Sequence, residues 1–189
     1  MILAVETSDI LCSVAFWGKG RRLAEYNHEL PMQHAMIVGE LVDRGLVFLS
    51  EESREQKYSI DDLELVAVAI GPGSFTGLRI GLGYVQGFCF GKDLPVVGIS
   101  NHQVLAWQRN PVDRPVFTLI EARRNELYFA EHELMDSSYP QIKDHKIIFK
   151  EDLVKHVPPQ SIVIWKHDLE ISGTIKDALL KQDVLIYDR

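Results

Sequence analysis

Three places in the sequence carry residue types that could take part in chemistry. Glu6-Thr7-Ser8 follows a short apolar run, and a carboxylate at that point could hold Mg²⁺ through water. Ser74 and Thr76 lie in a glycine-rich loop, where a hydroxyl could act as a nucleophile beside a base and an oxyanion hole. His34 could begin a pair of metal-binding imidazoles one helical turn apart. Each chemistry requires further residues at fixed spacings.

The glycine-rich loop, Gly71–Gly81, departs from the known phosphate-binding loops. A phosphate loop ends in Gly-Lys-Ser/Thr, whereas Leu78-Arg79 follows the glycine here. A dinucleotide-binding loop has two residues between its second and third glycines, whereas three residues separate Gly73 from Gly77. We therefore predict a tight turn from a strand into a helix, with Gly73 at positive φ and a loop hydroxyl capping the helix.

The other two places lack the partners that catalysis or metal binding needs. Val38 stands four residues after His34, where a second imidazole would be required. No second phosphate-binding loop accompanies Glu6, which favours a simple turn in which Thr7 and Ser8 bond the backbone. The motifs Gly-x-Ser-x-Gly and His-Glu-x-x-His do not occur. We predict no catalytic, cofactor-binding or metal-binding residues, and therefore no cofactor.

The elements around the loop are a strand and a glycine-rich helix. The apolar run Leu65–Ile70 predicts a buried strand. The run from the loop to about Gly91 predicts a helix that is apolar nearly all round, and such a helix is expected to be buried on more than one side. Each glycine costs roughly 1 kcal/mol of helix propensity. The glycines at 77, 81, 83, 87 and 91 therefore suggest that another backbone approaches closely.

An earlier helix is predicted to begin at Pro31 and to end near Leu49. Its main apolar stripe and the residues beside that stripe are Ala35, Val38, Val42, Leu46 and Leu49, with His34, Ile37, Leu41 and Phe48. Together they cover about 180° of the helix, more than the roughly 100° needed to cover a sheet. Met36 and Val47 add apolar surface beyond that arc. A partner helix is one use for the surplus; a shifted helix register, or cover by a second lobe, is the alternative.

The predicted elements follow one another as β-β-β-α-β-α-β-α, and a smaller α/β stretch comes after them. That stretch contains a hairpin at Glu121–Glu126. The order is typical of an α/β fold of the ribonuclease-H-like kind, a mixed sheet flanked by helices. We predict an N-terminal lobe at residues 1–106 and a smaller, shortened lobe at residues 107–189.

Charge and composition limit the classes of function. The 189 residues have a formal net charge of −7 and no basic run, so a nucleic acid is expected to be bound only through a partner with a positive surface. Cys12 and Cys89 lie in apolar runs, which is typical of core cysteines in a reducing cytosol. The sequence shows neither a signal sequence nor a long apolar run. We expect a cytoplasmic protein with no membrane partner.

Four segments of the sequence resemble the bacterial TsaB (YeaZ) family. They are Ile2–Ser8, the Gly71–Gly81 loop, Leu94–Ser100 and Glu121–Tyr128, and the match extends over roughly residues 1–132. The string Gly-Pro-Gly-Ser-Phe-Thr-Gly-Leu-Arg-Ile-Gly is the most specific of them. The sequence departs from the family where Glu121 replaces the usual aspartate and where Trp165–Asp168 replaces a late Gly-Asp-Gly-type stretch.

The resemblance implies an actin-like ATPase (ASKHA) fold and a part in making threonylcarbamoyladenosine in tRNA. In that system the paralogue TsaD transfers the threonylcarbamoyl group to the adenosine beside the anticodon, in tRNAs that read codons beginning with A. A TsaB protein is implied to be a non-catalytic subunit that binds TsaD or a second copy of itself, with the ATPase TsaE in a larger complex. The alternative function is a stand-alone actin-like ATPase or a peptidase-type hydrolase.

The resemblance also implies that partners bind through the first two helices. The interface residues expected from it are His34, Ile37, Leu41, Phe48, Gly77, Gly81, Tyr84 and Phe88. Charges placed at Ile37, Leu41 or Phe48 are expected to abolish partner binding while the chain stays folded.

Overall fold

The computed structural model describes residues 1–29, 33–52, 57–108, 113–133, 139–165 and 169–188. The chain divides into two compact units, Met1–Ile99 and Ser100–Arg189, and each contains one five-stranded sheet. The functional lobes at residues 1–106 and 107–189 remain a prediction. The predicted helix start at Pro31 and the stretch Lys166–Asp168 lie outside the described residues. Within the described ranges, no helix combines the length and the apolar character needed to cross a membrane.

The first unit consists of a mixed sheet and two helices. Its elements are β1 (Ile2–Glu6), β2 (Leu11–Gly18), β3 (Arg21–Glu29), α1 (His34–Val47), β4 (Leu65–Gly71), α2 (Phe75–Cys89) and β5 (Val96–Ser100). The strands lie in the order β3-β2-β1-β4-β5. Strand β1 is antiparallel to β2 and parallel to β4. The three successive strands predicted at the start of the chain and the mixed sheet are confirmed.

One face of this sheet forms the first core. Successive residues of a strand point to opposite faces, and the apolar residues of β1, β2 and β4 alternate accordingly. Leu3, Phe16 and Val66 lie side by side in the register and are completely buried. Helices α1 and α2 supply the other half of the core, including Val42 and Val85. The fold therefore leaves the opposite side of both helices free of the sheet.

Helix α1 packs with a side that lies within the predicted apolar arc but is turned towards the residues beside the main stripe. Its buried residues are His34, Ile37, Val38, Leu41, Val42 and Gly45. Ala35 is exposed and Leu46 is only half-buried, although both belonged to the predicted stripe. The reason is Gly45, because a Cβ at this position would overlap the ring of Phe16. The glycine lets α1 lie close to β2, and the buried arc turns towards that contact.

Helix α2 rests on the sheet along one side only. Its buried residues, Gly77, Gly81 and Val85, are spaced four apart and so share one side of the helix. Gly83 and Gly87 are exposed, and Gly91 lies beyond the end of the helix. Burial on more than one side was therefore a wrong expectation for the described part of the chain. The apolar and glycine residues on the outer side of α2 face away from the sheet.

The second unit is built around the sheet β10-β9-β6-β7-β8. Its elements are α3 (Asn101–Trp107), β6 (Val116–Glu121), β7 (Glu126–His132), β8 (Ile142–Phe149), α4 (Leu153–His156), β9 (Ile162–Trp165), α5 (Gly173–Lys181) and β10 (Leu185–Asp188). The predicted hairpin between β6 and β7 is confirmed by their antiparallel pairing. Strand β8 is followed directly by a 3-10 turn at Lys150–Asp152, which leads into α4.

The second sheet is covered on both faces. One core includes Leu119 of β6, Trp165 of β9 and Leu179 of α5. The other face packs against α3 through residues such as Ile164 and Leu105. The three tryptophans of the chain occupy different surroundings: Trp165 is 1% exposed, whereas Trp17 of β2 and Trp107 of α3 are 48% and 52% exposed.

Candidate partner-binding face

The loop between β4 and α2 is fixed by its own backbone contacts. The hydroxyl of Ser74 accepts a hydrogen bond from the backbone N–H of Gly77 at 3.2 Å, so the predicted helix cap is confirmed. Gly71, not Gly73, has the positive φ, at 93°. Gly73 is required for a different reason, because a Cβ there would lie 2.7 Å from the carbonyl oxygen of Ser8. The loop is therefore shaped by its close approach to the end of β1.

The polar residues that follow β1 bond within the fold. The hydroxyl of Thr7 is buried and donates to the carbonyl oxygen of Gly77 at 2.8 Å, which confirms the predicted bond from this turn to the backbone. The backbone N–H of Ser74 donates to the Ser8 carbonyl oxygen at 2.7 Å. The carboxylate of Glu6 accepts from both the backbone N–H and the hydroxyl of Ser8. These bonds tie the end of β1 to the start of α2.

Two glycines of α2 are required by the close approach of this helix to the end of β1. A Cβ at Gly77 would overlap the carbonyl oxygen of Thr7 and lie 3.0 Å from its carbonyl carbon. A Cβ at Gly81 would overlap the Thr7 hydroxyl oxygen. The predicted close approach of another backbone is thus confirmed for these two positions, and the approaching backbone belongs to the same unit.

The outer side of α1 and α2 is different, because two of its glycines, Gly83 and Gly87, have no close neighbour among the described residues. A Cβ at Gly39 would lie 3.5 Å from the Tyr84 ring, so the two helices meet there. Around Gly83 and Gly87, no heavy atom of the described residues comes within 4 Å of a Cβ position, apart from the adjoining residues and the backbone of α2 itself. We call the surface formed by Gly39, Asp43 and Val47 of α1 and Gly83, Tyr84 and Gly87 of α2 the α1–α2 face.

Apolar side chains border this face. Met36 stands one turn before Gly39 and is 79% exposed. Tyr84 stacks on Phe88 with 5.9 Å between the ring centroids. Burial, and then the nearby carboxylate of Asp43, raise the pKa of Tyr84 to about 12, so its hydroxyl stays neutral. The α1–α2 face therefore carries aromatic and apolar side chains beside its glycines.

A groove of about 660 Å³ adjoins the face between α1 and β3. Its lining residues are Tyr26, Gly39, Glu40, Asp43, Arg44, Val47 and Phe48. Arg44 forms an ion pair with Glu40 at 2.6 Å, one helical turn away. Asp43 adds a carboxyl group to this lining, and the groove therefore offers a partner both apolar area and an acidic side chain.

The residues predicted to bind a partner fall into two groups. His34, Ile37, Leu41, Gly77 and Gly81 are buried inside the first unit. Phe48 is 36% exposed, and Tyr84 and Phe88 are half-buried on the outer side. A charge at Ile37 or Leu41 would enter the core, so the expectation that such variants stay folded is wrong. The interface itself remains a prediction, and its test requires exposed residues.

The sequence indicates that glycines of α2 allow a close approach, but it does not indicate which of them pack inside the fold and which lie on the outer side. Gly77 and Gly81 face inwards and Gly83 and Gly87 face outwards, which the 100° step per residue separates only once one contact is known. Sequence reasoning also missed a buried group in the second unit, His102, Thr118 and His132, of which only Thr118 is a lone polar residue in an apolar run. Among the described residues, no three His, Cys, Asp or Glu side chains are placed to share a metal ion.

Solved structures define the class of this fold. A protein from Bacteroides thetaiotaomicron described as having an actin-like ATPase fold superposes with a TM-score of 0.51 and 8% identity, over 100% of this chain and 90% of that one. YeaZ from Pseudomonas aeruginosa superposes with a TM-score of 0.68 and 27% identity, over 86% of this chain and 74% of that one. The protein has the actin-like ATPase fold, as predicted.

Sequence comparison narrows the class to one family. The family model described as "TsaD: tRNA N6-adenosine threonylcarbamoyltransferase" matches residues 42–180. The "tRNA threonylcarbamoyladenosine biosynthesis protein TsaB" of Haemophilus influenzae is 31% identical over 88% of this chain and 68% of its own length. The protein of the same name from Escherichia coli is 33% identical over 81% of this chain and 64% of its own length. The chain belongs to the TsaB (YeaZ) family and spans about two thirds of these relatives.

Proposed function

We propose that the chain acts in the biosynthesis of threonylcarbamoyladenosine in tRNA as a non-catalytic subunit that binds TsaD through the α1–α2 face. The names of the two bacterial relatives support the pathway, and the family model named after TsaD supports the partner. TsaD would transfer the threonylcarbamoyl group to the adenosine beside the anticodon. TsaE would join the larger cytoplasmic complex, tRNA would be bound only through that complex, and a second copy of the chain is the other candidate occupant of the face.

The observation that carries this proposal is the pair of outward glycines on α2. A glycine within a helix costs roughly 1 kcal/mol relative to alanine. Gly77 and Gly81 have an internal reason for that cost, since a Cβ at either would overlap Thr7. Gly83 and Gly87 have no such neighbour among the described residues. A partner helix that packs closely on α2 would supply the reason, because small residues allow two helix axes to approach at the short end of the usual 8–10 Å.

The surroundings of the catalytic-type residues support a non-catalytic role. The Glu6 carboxylate, the Thr7 hydroxyl and the Ser74 hydroxyl all hold the β1 turn and the start of α2 in place. A nucleophile needs a base within hydrogen-bond reach, with its own orientation fixed by a third group. Instead, each of these three polar groups already has a structural partner.

The proposal is tested with variants that change the outer side alone. Met36→Glu and Gly83→Leu are expected to weaken TsaD binding at least tenfold. Met36→Glu would bury a charge in the interface, and the larger side chain of Gly83→Leu would hold the partner helix away from α2. Ile147→Glu on β8, which is 58% exposed, is the matched control for a new surface charge. Binding is measured by calorimetry with TsaD from the same organism, and the modified nucleoside is quantified after the variants replace the native chain. If Met36→Glu and Gly83→Leu both bind TsaD as tightly as the native chain does, the α1–α2 face is not the TsaD-binding surface.

A stand-alone ATPase is the alternative, and calorimetry also distinguishes it. That function requires the isolated chain to bind ATP and to lose the binding when Glu6 is changed to Gln. The proposed function predicts that neither the isolated native chain nor its Glu6→Gln variant gives a heat of binding with ATP.

A further inference from the structure

A chain of three buried polar side chains links α3 to the second sheet. His102 of α3, Thr118 of β6 and His132 of β7 are 4%, 0% and 4% exposed. The Thr118 hydroxyl oxygen lies 2.7 Å from Nδ1 of His102 and 2.8 Å from Nε2 of His132. The proposed docking of a partner on the first unit makes no use of these residues, so their presence in an apolar core requires a separate explanation.

The hydrogen bonds of this chain require neutral imidazoles. Thr118 has one hydroxyl proton, so it donates to one ring and accepts from the other. A proton added to the accepting ring removes the acceptor of the Thr118 hydroxyl. Because Nδ1 of His132 is buried and has no partner among the described residues, the favoured neutral tautomer carries its proton on Nε2 and donates to Thr118, which in turn donates to Nδ1 of His102. A proton added to His132 then places an unsatisfied N–H at Nδ1. Protonation of either histidine therefore leaves a buried donor unsatisfied, which costs roughly 1–3 kcal/mol for each neutral group and more when a charge is present.

The neighbouring groups do not compensate a positive charge at this position. Helix α3 contributes the uncharged Gln103, whose amide donates to the Pro140 carbonyl oxygen at 3.1 Å. Strand β8 contributes His145, and strand β7 contributes Glu131, whose carboxylate is already paired with Lys143 at 2.6 Å. On β6 and β9 the neighbours are apolar: Val116, Ile120, Ile162 and Ile164. The charged form of either histidine would be both desolvated and unpaired.

We propose that His102, Thr118 and His132 form an acid-labile latch that holds α3 against the second sheet. Helix α3 has only seven residues, and its N-cap, Ser100, makes no side-chain cap bond. Leu105 and Ala106 supply its apolar contacts. Because a short helix is marginal without tertiary contacts, loss of the latch releases α3, while the core on the other face of the sheet, which includes Leu119 and Trp165, stays in place.

The direction of the pH effect follows from the two histidines. Burial, with smaller contributions from the charges of His132 and His145, lowers the pKa of His102 to about 3. Burial lowers the pKa of His132 to about 4. A released histidine has the ordinary value of about 6.5. The latched state is therefore fully stable above pH 6.5, and it loses stability as the pH falls towards 4.

Hydrogen exchange of the α3 amides tests the latch. With the shifts above, the equilibrium constant for opening rises about 30-fold for each histidine between pH 7.5 and 5.0, or about 1,000-fold for both. The measured protection factors, corrected for intrinsic exchange, are expected to fall by that amount in α3. The amides of α5, on the other face of the sheet, are the internal reference and are expected to change far less.

A neutral variant separates the latch from general acid sensitivity. His102→Asn and His132→Gln together place an amide where each ring nitrogen meets Thr118 and remove the titrating groups, so the pH effect on α3 is expected to disappear. His156→Gln changes a histidine on the other face, beside Phe129, and is expected to leave the effect intact. Unchanged α3 protection at pH 5.0, equal losses in α3 and α5, or a pH effect that persists in the neutral variant would each overturn the proposal.

Discussion

Alanine substitutions at inner and outer glycines of α2 are expected to change stability in opposite directions. Gly77→Ala would place a methyl group against the Thr7 backbone, with its carbon 3.0 Å from the Thr7 carbonyl carbon and 3.3 Å from the Ser8 Cα. Gly83→Ala would add a methyl group in open space. Both substitutions gain the same helix propensity, so their difference isolates the packing of α2 on the end of β1.

The expected magnitudes follow from three contributions. Overpacking against a rigid backbone costs up to about 3 kcal/mol, and the hydrogen bond from Thr7 to the Gly77 carbonyl, when displaced, contributes about 1 kcal/mol. The gain in helix propensity offsets roughly 1 kcal/mol at either position. Gly77→Ala is therefore expected to lower the free energy of unfolding by about 3 kcal/mol, and Gly83→Ala to raise it by about 1 kcal/mol.

Urea unfolding followed by far-UV circular dichroism measures both variants against the native chain. The comparison is valid when the slope of the unfolding free energy with urea is unchanged. Equal stability of Gly77→Ala and Gly83→Ala would refute the close approach of α2 to Thr7. Under the proposed function, Gly83→Ala also binds TsaD less tightly although it is the more stable protein, and this opposite response could not arise from loss of folding.

Two further substitutions test the helices. Ser74→Ala removes the hydroxyl that accepts from the Gly77 N–H and is expected to lower the free energy of unfolding by about 1 kcal/mol; Ser74→Asn, which can also cap, should recover most of it in the same urea assay. Leu41→Glu buries a carboxylate at a position that is 5% exposed and is expected to unfold the first unit, whereas Phe48→Glu, at 36% exposure, should leave its circular dichroism spectrum native. A folded Leu41→Glu protein would show that α1 packs by another side.

The main elements of the fold could be predicted because each strand has its own local pattern. Alternating burial in β1 and β2 and the apolar run of β4 are visible without knowledge of the rest of the chain. The turn before α2 was predicted for the same reason, since Ser74 caps within three residues. Local patterns determine an element and its ends, and the order of elements then limits the sheet to a few arrangements.

The orientation of the helices could not be predicted, because it depends on contacts between distant residues. The predicted apolar arc covers about half of the circumference of α1 and nearly all of that of α2, so periodicity allows several orientations. The orientation of α1 depends on the contact of Gly45 with Phe16, and that of α2 on the contact of Gly77 with Thr7. Gly77 and Thr7 are 70 residues apart in the sequence. For this reason the sequence did not indicate that His34, Ile37 and Leu41, three of the predicted interface residues, are buried in the first unit.

The histidine chain was missed because its partners lie on three different elements. His102 and His132 are separated from Thr118 by 16 and 14 residues, and their spacing follows no ligand pattern. A signal does exist in the sequence, since Thr118 is a lone polar residue in the apolar run of β6. A buried hydroxyl needs a partner, and that requirement alone would have directed attention to the nearest polar residues.

The positions of the three tryptophans make the two units separately visible to fluorescence. Trp17 reports on the first sheet, Trp107 on α3, and Trp165 on the core beneath α5. Exposed indoles emit at longer wavelengths and are quenched by aqueous iodide, whereas Trp165, at 1% exposure, would be shielded from it. Three variants would each keep one tryptophan and carry phenylalanine at the other two positions. A denaturant titration of these variants would therefore show whether one unit unfolds before the other, and whether α3 separates from the second sheet before either unit unfolds.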